Sequence, residues 1–364
     1  MTVFPQGIKA VFVGDLNTYS KGWLRWRALH QWCAAVEAVT HTPPGNPAVG
    51  HPDFSLAYRI AFRLGHHLDT ERANRKTIEA VGRIRPDLVW IEKGTMIRPE
   101  TLRRVKESPS RPKLVSYSDD NMVLPHNHSR AYVEGLPHYD CVFTTKARNA
   151  DVGELPALGA RHVVVVDKAF DPESHRPVAL TVAEQREFGA DCGFIGTYER
   201  ERAKAMLYLA QNGVAVRVWG NGWEAMHETH PNLHIERRAA VNTDQGPHFT
   251  KAVCATKVNL GFLRKMNFDT QTDRSVEIPA CGGFLLAERT DDHRRLFRED
   301  EEAVFFSGLD ELLAKVRRYL AHDEERQRIA AAGRARCLSG GYSHAERVTF
   351  MLATVFDAHR PTPL

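Results

Sequence analysis

No stretch of the sequence approaches the ~20 consecutive apolar residues that a membrane-spanning helix requires. The opening residues, MTVFPQGIKAVFVGD, lack a basic segment followed by a long apolar one, so no secretory signal is expected. Cysteine is sparse: Cys33, Cys141, Cys192, Cys254, Cys281 and Cys337 are the six in 364 residues. None lies within four residues of another, which excludes a zinc ribbon or a redox CxxC from local spacing. Buried free thiols in a reducing compartment follow, and a cytoplasmic location is expected. Charge of one sign is lacking too. The 49 basic residues are interleaved with 45 acidic ones, leaving a net charge of +4, so no dedicated nucleic-acid surface is expected. Peripheral contact with a membrane stays compatible with this charge. There is no solenoid repeat and no low-complexity tract.

What the chain does have is length for about two domains and a steady rhythm of short apolar run, turn and amphipathic segment. The runs are Ile8–Gly14, Asp87–Glu92, Lys113–Tyr117, Asp140–Thr144 and Arg161–Val166, then Cys192–Gly196, Val214–Trp219, Lys257–Phe262, Phe284–Ala287 and Ala303–Phe306. They do not alternate, which fits parallel strands covered on both faces. Helices are expected near 22–37, 53–64, 70–84, 200–212, 273–281, 309–321 and 323–337. Strand–helix alternation of this kind implies doubly wound α/β domains. The rhythm lapses over Phe170–Glu187, where two prolines and mixed charge read as a linker. The expected organisation is therefore a domain over 1–172, a linker over 173–188, a second domain over 189–340, and a last segment over 341–364. Ser343 and Glu346 have capping-box spacing and should open a final helix, which would pack back toward the first domain.

The most informative stretch is Asn267–Glu288, NFDTQTDRSVEIPACGGFLLAE. A helix opening after strand Lys257–Phe262 aims its free N–H groups at the carboxyl edge of the sheet, where α/β proteins bind ligands. Arg274 beside that helix mouth suits a diphosphate. Glu277, one turn inside, suits a pair of ribose hydroxyls, because a carboxylate accepts two hydrogen bonds at once. In its largely apolar setting Glu277 needs a polar partner.

These residues resemble the donor-binding segment of GT-B glycosyltransferases, and more closely the CgeB-type (spore-maturation) branch. An Arg–aromatic–Glu–Ile–Pro–Ala–Cys–Gly-Gly run is typical there, and here it reads Arg274 to Gly283. Phe194-Ile195-Gly196-Thr197 followed by Arg200 and Arg202 resembles the family's first strand–loop–helix. Val218 to Trp223, with Gly220 and Asn221, resembles the next strand and its base-side turn. Leu296-Phe297, Glu301, Glu302, Val304 and Glu325-Arg326 match the later pattern. The chain departs from the family at Asp269, where the first acid is usually Glu, and at Val276, where an aromatic is usual.

The resemblance implies a GT-B architecture of two Rossmann-like domains facing across a cleft. It also implies transfer of a hexose-type sugar from a nucleoside-diphosphate sugar to a hydroxyl acceptor: a cell-surface glycan (polysaccharide biosynthesis), a glycolipid or a protein. The nucleotide-sugar is then substrate, and neither cofactor nor metal is expected. Glu277 would hold the ribose, Asp269 the sugar, and Arg274 and Arg202 the diphosphate. Gly196, Thr197, Arg200, Gly220 and Asn221 would line the donor site. The plainer readings are a solvated helix face for Arg200 and Arg202, a turn-forming Asp269, and core packing for Trp219 and Trp223. In the first half Asp119, Asp120 and His126 follow strand Lys113–Tyr117 at the ligand edge and are candidate general bases; loop capping is the alternative for the two acids. Two other functions fit the same fold: a nucleotide-sugar epimerase, and a non-catalytic sugar-nucleotide-binding or morphogenetic protein.

Overall fold

A computed structural model describes residues 7–46, 51–52, 54–236, 239–244 and 246–356. Two six-stranded, all-parallel sheets follow one another along the chain. The first is built from β1 (Ile8–Gly14), β2 (Cys33–Thr40), β3 (Leu88–Glu92), β4 (Lys113–Ser118), β5 (Cys141–Thr144) and β6 (Val163–Val165), in the spatial order β2-β1-β3-β4-β5-β6. The second is built from β7 (Ala190–Ile195), β8 (Val216–Trp219), β9 (Leu233–Glu236), β10 (Thr256–Gly261), β11 (Leu285–Glu288) and β12 (Val304–Phe306), in the order β9-β8-β7-β10-β11-β12. Each order reverses direction once, between β1 and β3 and between β7 and β10. Such a reversal opens a crevice at the carboxyl ends of the strands.

The helices of the first half are α1 (Lys21–Leu29), α2 (Leu56–Arg63), α3 (Ala73–Ile84), α4 (Pro99–Lys106) and α5 (Arg130–Gly135). A short α6 (Val182–Phe188) precedes the second half. That half carries α7 (Arg200–Gln211), α8 (His248–Ala255), α9 (Asp273–Ala280), α10 (Asp291–Leu296), α11 (Leu309–Ala321) and α12 (Asp323–Ser339), and the chain ends its described part in α13 (His344–Phe356).

Alternate residues of each central strand feed opposite faces of the sheet. Ile8, Ala10 and Phe12 join one apolar cluster while Val11 and Val13 join another. In the second sheet Leu286 faces one cluster, and Leu285 and Ala287 the other. Both faces are covered, which is why the strands read as unbroken apolar runs.

Several elements differ from the sequence expectation. The helix expected to reach Glu37 stops at Leu29, and Cys33–Thr40 is strand β2, paired along its length with β1. The alanines of CAAVEAVT favour helix weakly, and tertiary pairing overrides them. As an edge strand β2 is only half covered, so it lacks the apolar run that marked the others. The expected linker contains α6, opened by a capping box in which Glu184 N donates to Thr181 Oγ1 at 3.2 Å and Thr181 N to Glu184 Oε2 at 2.9 Å. β9 and α8 gave no clear periodicity and were not anticipated. The expected start of the helix at residue 53 lies outside the described residues.

The chain passes between the halves twice, and the two passages lie side by side. Phe170 N donates to Tyr342 O at 3.1 Å, and His344 N donates to Phe170 O at 2.9 Å. Beyond the return passage, Ser343 caps α13 through Glu346 N at 3.2 Å. Val348, Met351, Leu352 and Ala353 of α13 complete the cluster of Ile8, Phe12, Trp90 and Phe143 in the first half.

Candidate functional site between the two sheets

The turns after β1 and β10 meet across the cleft, and Glu277 stands where they meet. Its side chain is 0% exposed. α9 begins just after the loop that follows β10, with Thr272 N donating to Ser275 Oγ at 3.0 Å. It ends at Gly282 in the left-handed region (φ 77°), where Gly283 N donates to Ile278 O at 3.0 Å. His293 locks the helix from behind, with Nε2 2.7 Å from Ser275 Oγ. This packing holds Glu277 at a fixed depth, one turn inside a positive helix end.

Three groups surround that carboxylate. Lys21 Nζ, at the first turn of α1 in the other half, is ion-paired with Oε1, and Arg274 with Oε2. His175 Nε2 lies 3.4 Å from Oε1. The Nδ1 of His175 accepts from Asp171 N at 2.9 Å, which puts the ring proton on Nε2, facing the acid. Burial, then Lys21, push His175 well below its ordinary value, so the ring is neutral. Burial also pushes Lys21 down to about 8. Arg274 stacks over Phe249 at 4.3 Å and its Nε donates to Ile195 O at 3.3 Å. The acid, two cations and an aromatic face thus converge at one point.

That point adjoins a cavity of about 320 Å³ between the halves, within the size range of small-molecule sites (about 300–1,000 Å³). Tyr19, Lys21 and Trp23 line it from the first half, and Asn242, Phe249 and Arg274 from the second. The rim at 240–244 is held by Asn242, whose Nδ2 donates to Ser174 O and Thr250 Oγ1, both at 2.9 Å.

The other expected donor residues fall in distinct places. Gly196 and Gly220 bring the turns after β7 and β8 into contact: Gly196 N donates to Trp219 O at 2.9 Å, and a Cβ on Gly220 (φ 153°) would lie 1.9 Å from Gly196 O. Thr197 and Asn221 are exposed at these turns, and Arg200 is exposed at the start of α7. Arg202 is turned inward. Its Nη1 donates to Thr197 O at 2.9 Å, bracing the loop, while Nε is buried with no hydrogen-bond partner among the described residues. Trp219 and Trp223 are buried in the core, and Trp223 Nε1 donates to Gly196 O at 2.9 Å. Asp269 is ion-paired with Lys146 of the first half and accepts from Asn267 Nδ2 at 3.0 Å.

The first half presents a different arrangement. Arg25, buried, forms a two-bond pair with Glu92 at 2.8 and 2.6 Å and reaches Asp119 at 3.0 Å. Lys168 Nζ meets Asp119 at 2.8 Å and Asp273 of the second half at 3.5 Å. Burial alone would raise Asp119, but Lys168 and Arg25 more than offset it and hold the acid far below the usual carboxylate range. Asp120 pairs with Lys93 at 2.6 Å; burial raises it, and Lys93 brings it below its ordinary value. Acids held ionised in this way are weak proton acceptors. His126 is exposed on the loop after β4 and lies outside this ion network. Sequence reasoning missed Lys21, His175, Lys168 and Arg25. Each is a single cation or imidazole without a motif; the only pointer to Lys21 was its position just after the first strand, at the ligand edge.

Among the described residues no cluster of three metal-ligating side chains occurs. None of their helices is long and apolar enough to cross a membrane.

Residues 200–353 match a family model described as glycosyl transferase-like. No curated protein matches the sequence. Among solved structures the chain is similar to a sucrose-phosphate synthase from Thermosynechococcus elongatus (TM-score 0.63, 11% identity, 98% of this chain and 100% of that one). It is also similar to HepE of Anabaena in complex with UDP and glucose (TM-score 0.58, 12% identity, 95% and 100%). A Listeria monocytogenes structure named for UDP-N-acetylglucosamine 2-epimerase aligns as well (TM-score 0.56, 12% identity, 98% and 99%). The two parallel-sheet domains and these likenesses give the chain the GT-B fold.

Proposed function

We propose that the protein is a glycosyltransferase using a UDP-sugar donor, with the nucleotide seated between Glu277 and the cavity rim. The observation that carries the reading is the fully buried Glu277 gripped by Lys21 and Arg274 at the mouth of α9. A carboxylate paired there with two cations suits exchange with a nucleotide. The ribose diol takes the carboxylate, and the released Lys21 and Arg274 take the diphosphate. The UDP-bound state of HepE and the glycosyl transferase-like match over the second half support the choice of ligand.

Transfer then runs through charge placement. The bond between the anomeric carbon and the diphosphate oxygen breaks as an acceptor hydroxyl oxygen bonds to that carbon and gives up its proton to solvent, and negative charge builds on the departing UDP. Lys21 and Arg274, once released from Glu277, stabilise that charge together with the amino end of α9. Asp269, next to Lys146 at the joint between the halves, is assigned to the sugar hydroxyls. The cleft keeps water from the anomeric carbon, limiting hydrolysis. The Arg274–Gly283 run supports a CgeB-type member that transfers a hexose.

Calorimetric titration with UDP tests the site. Glu277→Gln removes a charged hydrogen bond of about 1.5–3 kcal/mol and should weaken binding roughly 10- to 150-fold; unchanged affinity would sink the assignment. The epimerase fold neighbour supplies the second reading. Incubation with UDP-glucose or UDP-N-acetylglucosamine alone, read by NMR, separates the two: an epimerised sugar nucleotide excludes the transferase, whereas slow hydrolysis to UDP supports it.

A further inference from the structure

The first half carries a surface that the proposed transfer does not use. α2 has no buried residue. Leu56, Ile60 and Leu64 recur every four positions and so share one face of the turn, where they are 65%, 51% and 70% exposed. The helix is held from its other side. Tyr58 stacks on Phe54 at 4.3 Å, Phe62 packs on His67 at 4.3 Å, and His67 Nδ1 lies 2.8 Å from Thr95 Oγ1, just beyond β3. The aromatic side is the one tied to the protein, with Phe62 still 36% exposed, and the more exposed aliphatic side faces away from it.

Basic charge predominates around this face, although Asp69 lines the neighbouring hollow and Arg75 pairs with Glu79 at 3.5 Å. Arg59 and Arg63 fall at the margin of the aliphatic stripe by helical spacing. Arg72, Arg75 and Arg98 border the hollow that continues from Leu68. No Asp or Glu occurs from Phe54 to Leu68. The first acid, Asp69, is engaged in capping α3, accepting from Ala73 N at 2.6 Å and Asn74 N at 3.0 Å. An aliphatic stripe with arginines at its edge matches an anionic lipid surface, where leucines enter the acyl boundary and guanidinium groups meet phosphate headgroups. A second copy of the chain fits poorly, since a two-fold contact would set these arginines against their own counterparts.

We infer that α2 and the neighbouring arginines seat the first half on an anionic bilayer. α2 is fixed beside the carboxyl edge of the first sheet, so an acceptor borne on lipid would meet the cleft from that side. That consequence rests on the glycosyltransferase reading; the bilayer contact does not.

Flotation of the full chain with phosphatidylcholine vesicles, with and without phosphatidylglycerol, tests it. The protein should float with the anionic vesicles and stay behind with the neutral ones. Leu56→Ser, Ile60→Ser and Leu64→Ser together should lower the bound fraction about tenfold or more. Arg72→Ser, Arg75→Ser and Arg98→Ser together should flatten its salt dependence. UDP affinity, measured in parallel, should stay unchanged in both sets, which shows that they fold. Absence from both vesicle types, or flotation unaffected by the triple serine change, would overturn the inference. So would a dimer in sedimentation that the serine changes dissolve, because a second copy would then cover the face. Flotation with no UDP binding by the native protein would keep the surface and remove the donor site.

Discussion

Each half of the molecule sets a buried acid among cations near the carboxyl edge of a sheet, yet the two acids are bound in different ways. In the first half Glu92 has partners from its own domain: Arg25 in a two-bond pair and Trp90 Nε1 at 2.8 Å. The acid and its cation satisfy each other without a ligand. In the second half Glu277 takes one of its cations, Lys21, from the opposite domain, beside a cavity. An acid satisfied from within its own domain does structural work, whereas an acid whose partner comes across a cleft can be shared with a ligand. The contrast separates support from binding where residue type alone does not.

The largest expected effect breaks the structural pair. Glu92→Gln takes from the buried Arg25 its two-bond partner, leaving Asp119 as its remaining acid, and should cost about 3 kcal/mol of stability in urea unfolding, while the folded variant binds UDP as the native protein does. A small change in stability with a large loss of UDP affinity would reverse the roles of the two acids. Next comes Lys21→Met, which should weaken UDP about tenfold or more by removing a cation from the diphosphate. Tighter binding instead would make Lys21 a plug over Glu277. The same lysine gives a pH signature. Its pKa is lowered from 10.5 to about 8, so it is protonated below that value and loses its charge above it. UDP affinity should therefore decline as pH rises beyond about 8, by up to about tenfold per unit, and Lys21→Met should lose that decline. The smallest effect sharpens the comparison within one half: Asp269→Asn should weaken UDP-glucose about fivefold, near 1 kcal/mol, and leave UDP unchanged. An equal loss for both ligands would move Asp269 from the sugar to the joint between the halves.

The legible parts were those whose signal is local. β1, β3, β4 and β7 are covered on both faces and so announce themselves as apolar runs. Glu277 was legible because an acid among Val276, Ile278 and Pro279 requires a partner, and Arg274 three residues earlier supplies one. β2 was not legible, since half its surface faces solvent and its alanines carry no strand preference. Lys21 and His175 were hidden for a different reason. Each acquires meaning only from a contact with Glu277, 256 positions away for the lysine, and neither carries a pattern of its own. Arg202 reads the same in sequence whether it faces ligand or loop; its bond to Thr197 O decides that it braces the loop.

The position of α13 has a consequence for synthesis on the ribosome. The sheet face made by Ile8, Phe12, Trp90 and Phe143 is covered by Ala28 and Leu29 of α1 and by residues 348 to 353, which follow the whole second domain. The earlier of these two domains thus keeps part of that flank uncovered until the domain translated after it has been made. Cotranslational folding in this molecule is inverted at that face, and a release just short of residue 348 would leave a chain whose earlier half cannot finish.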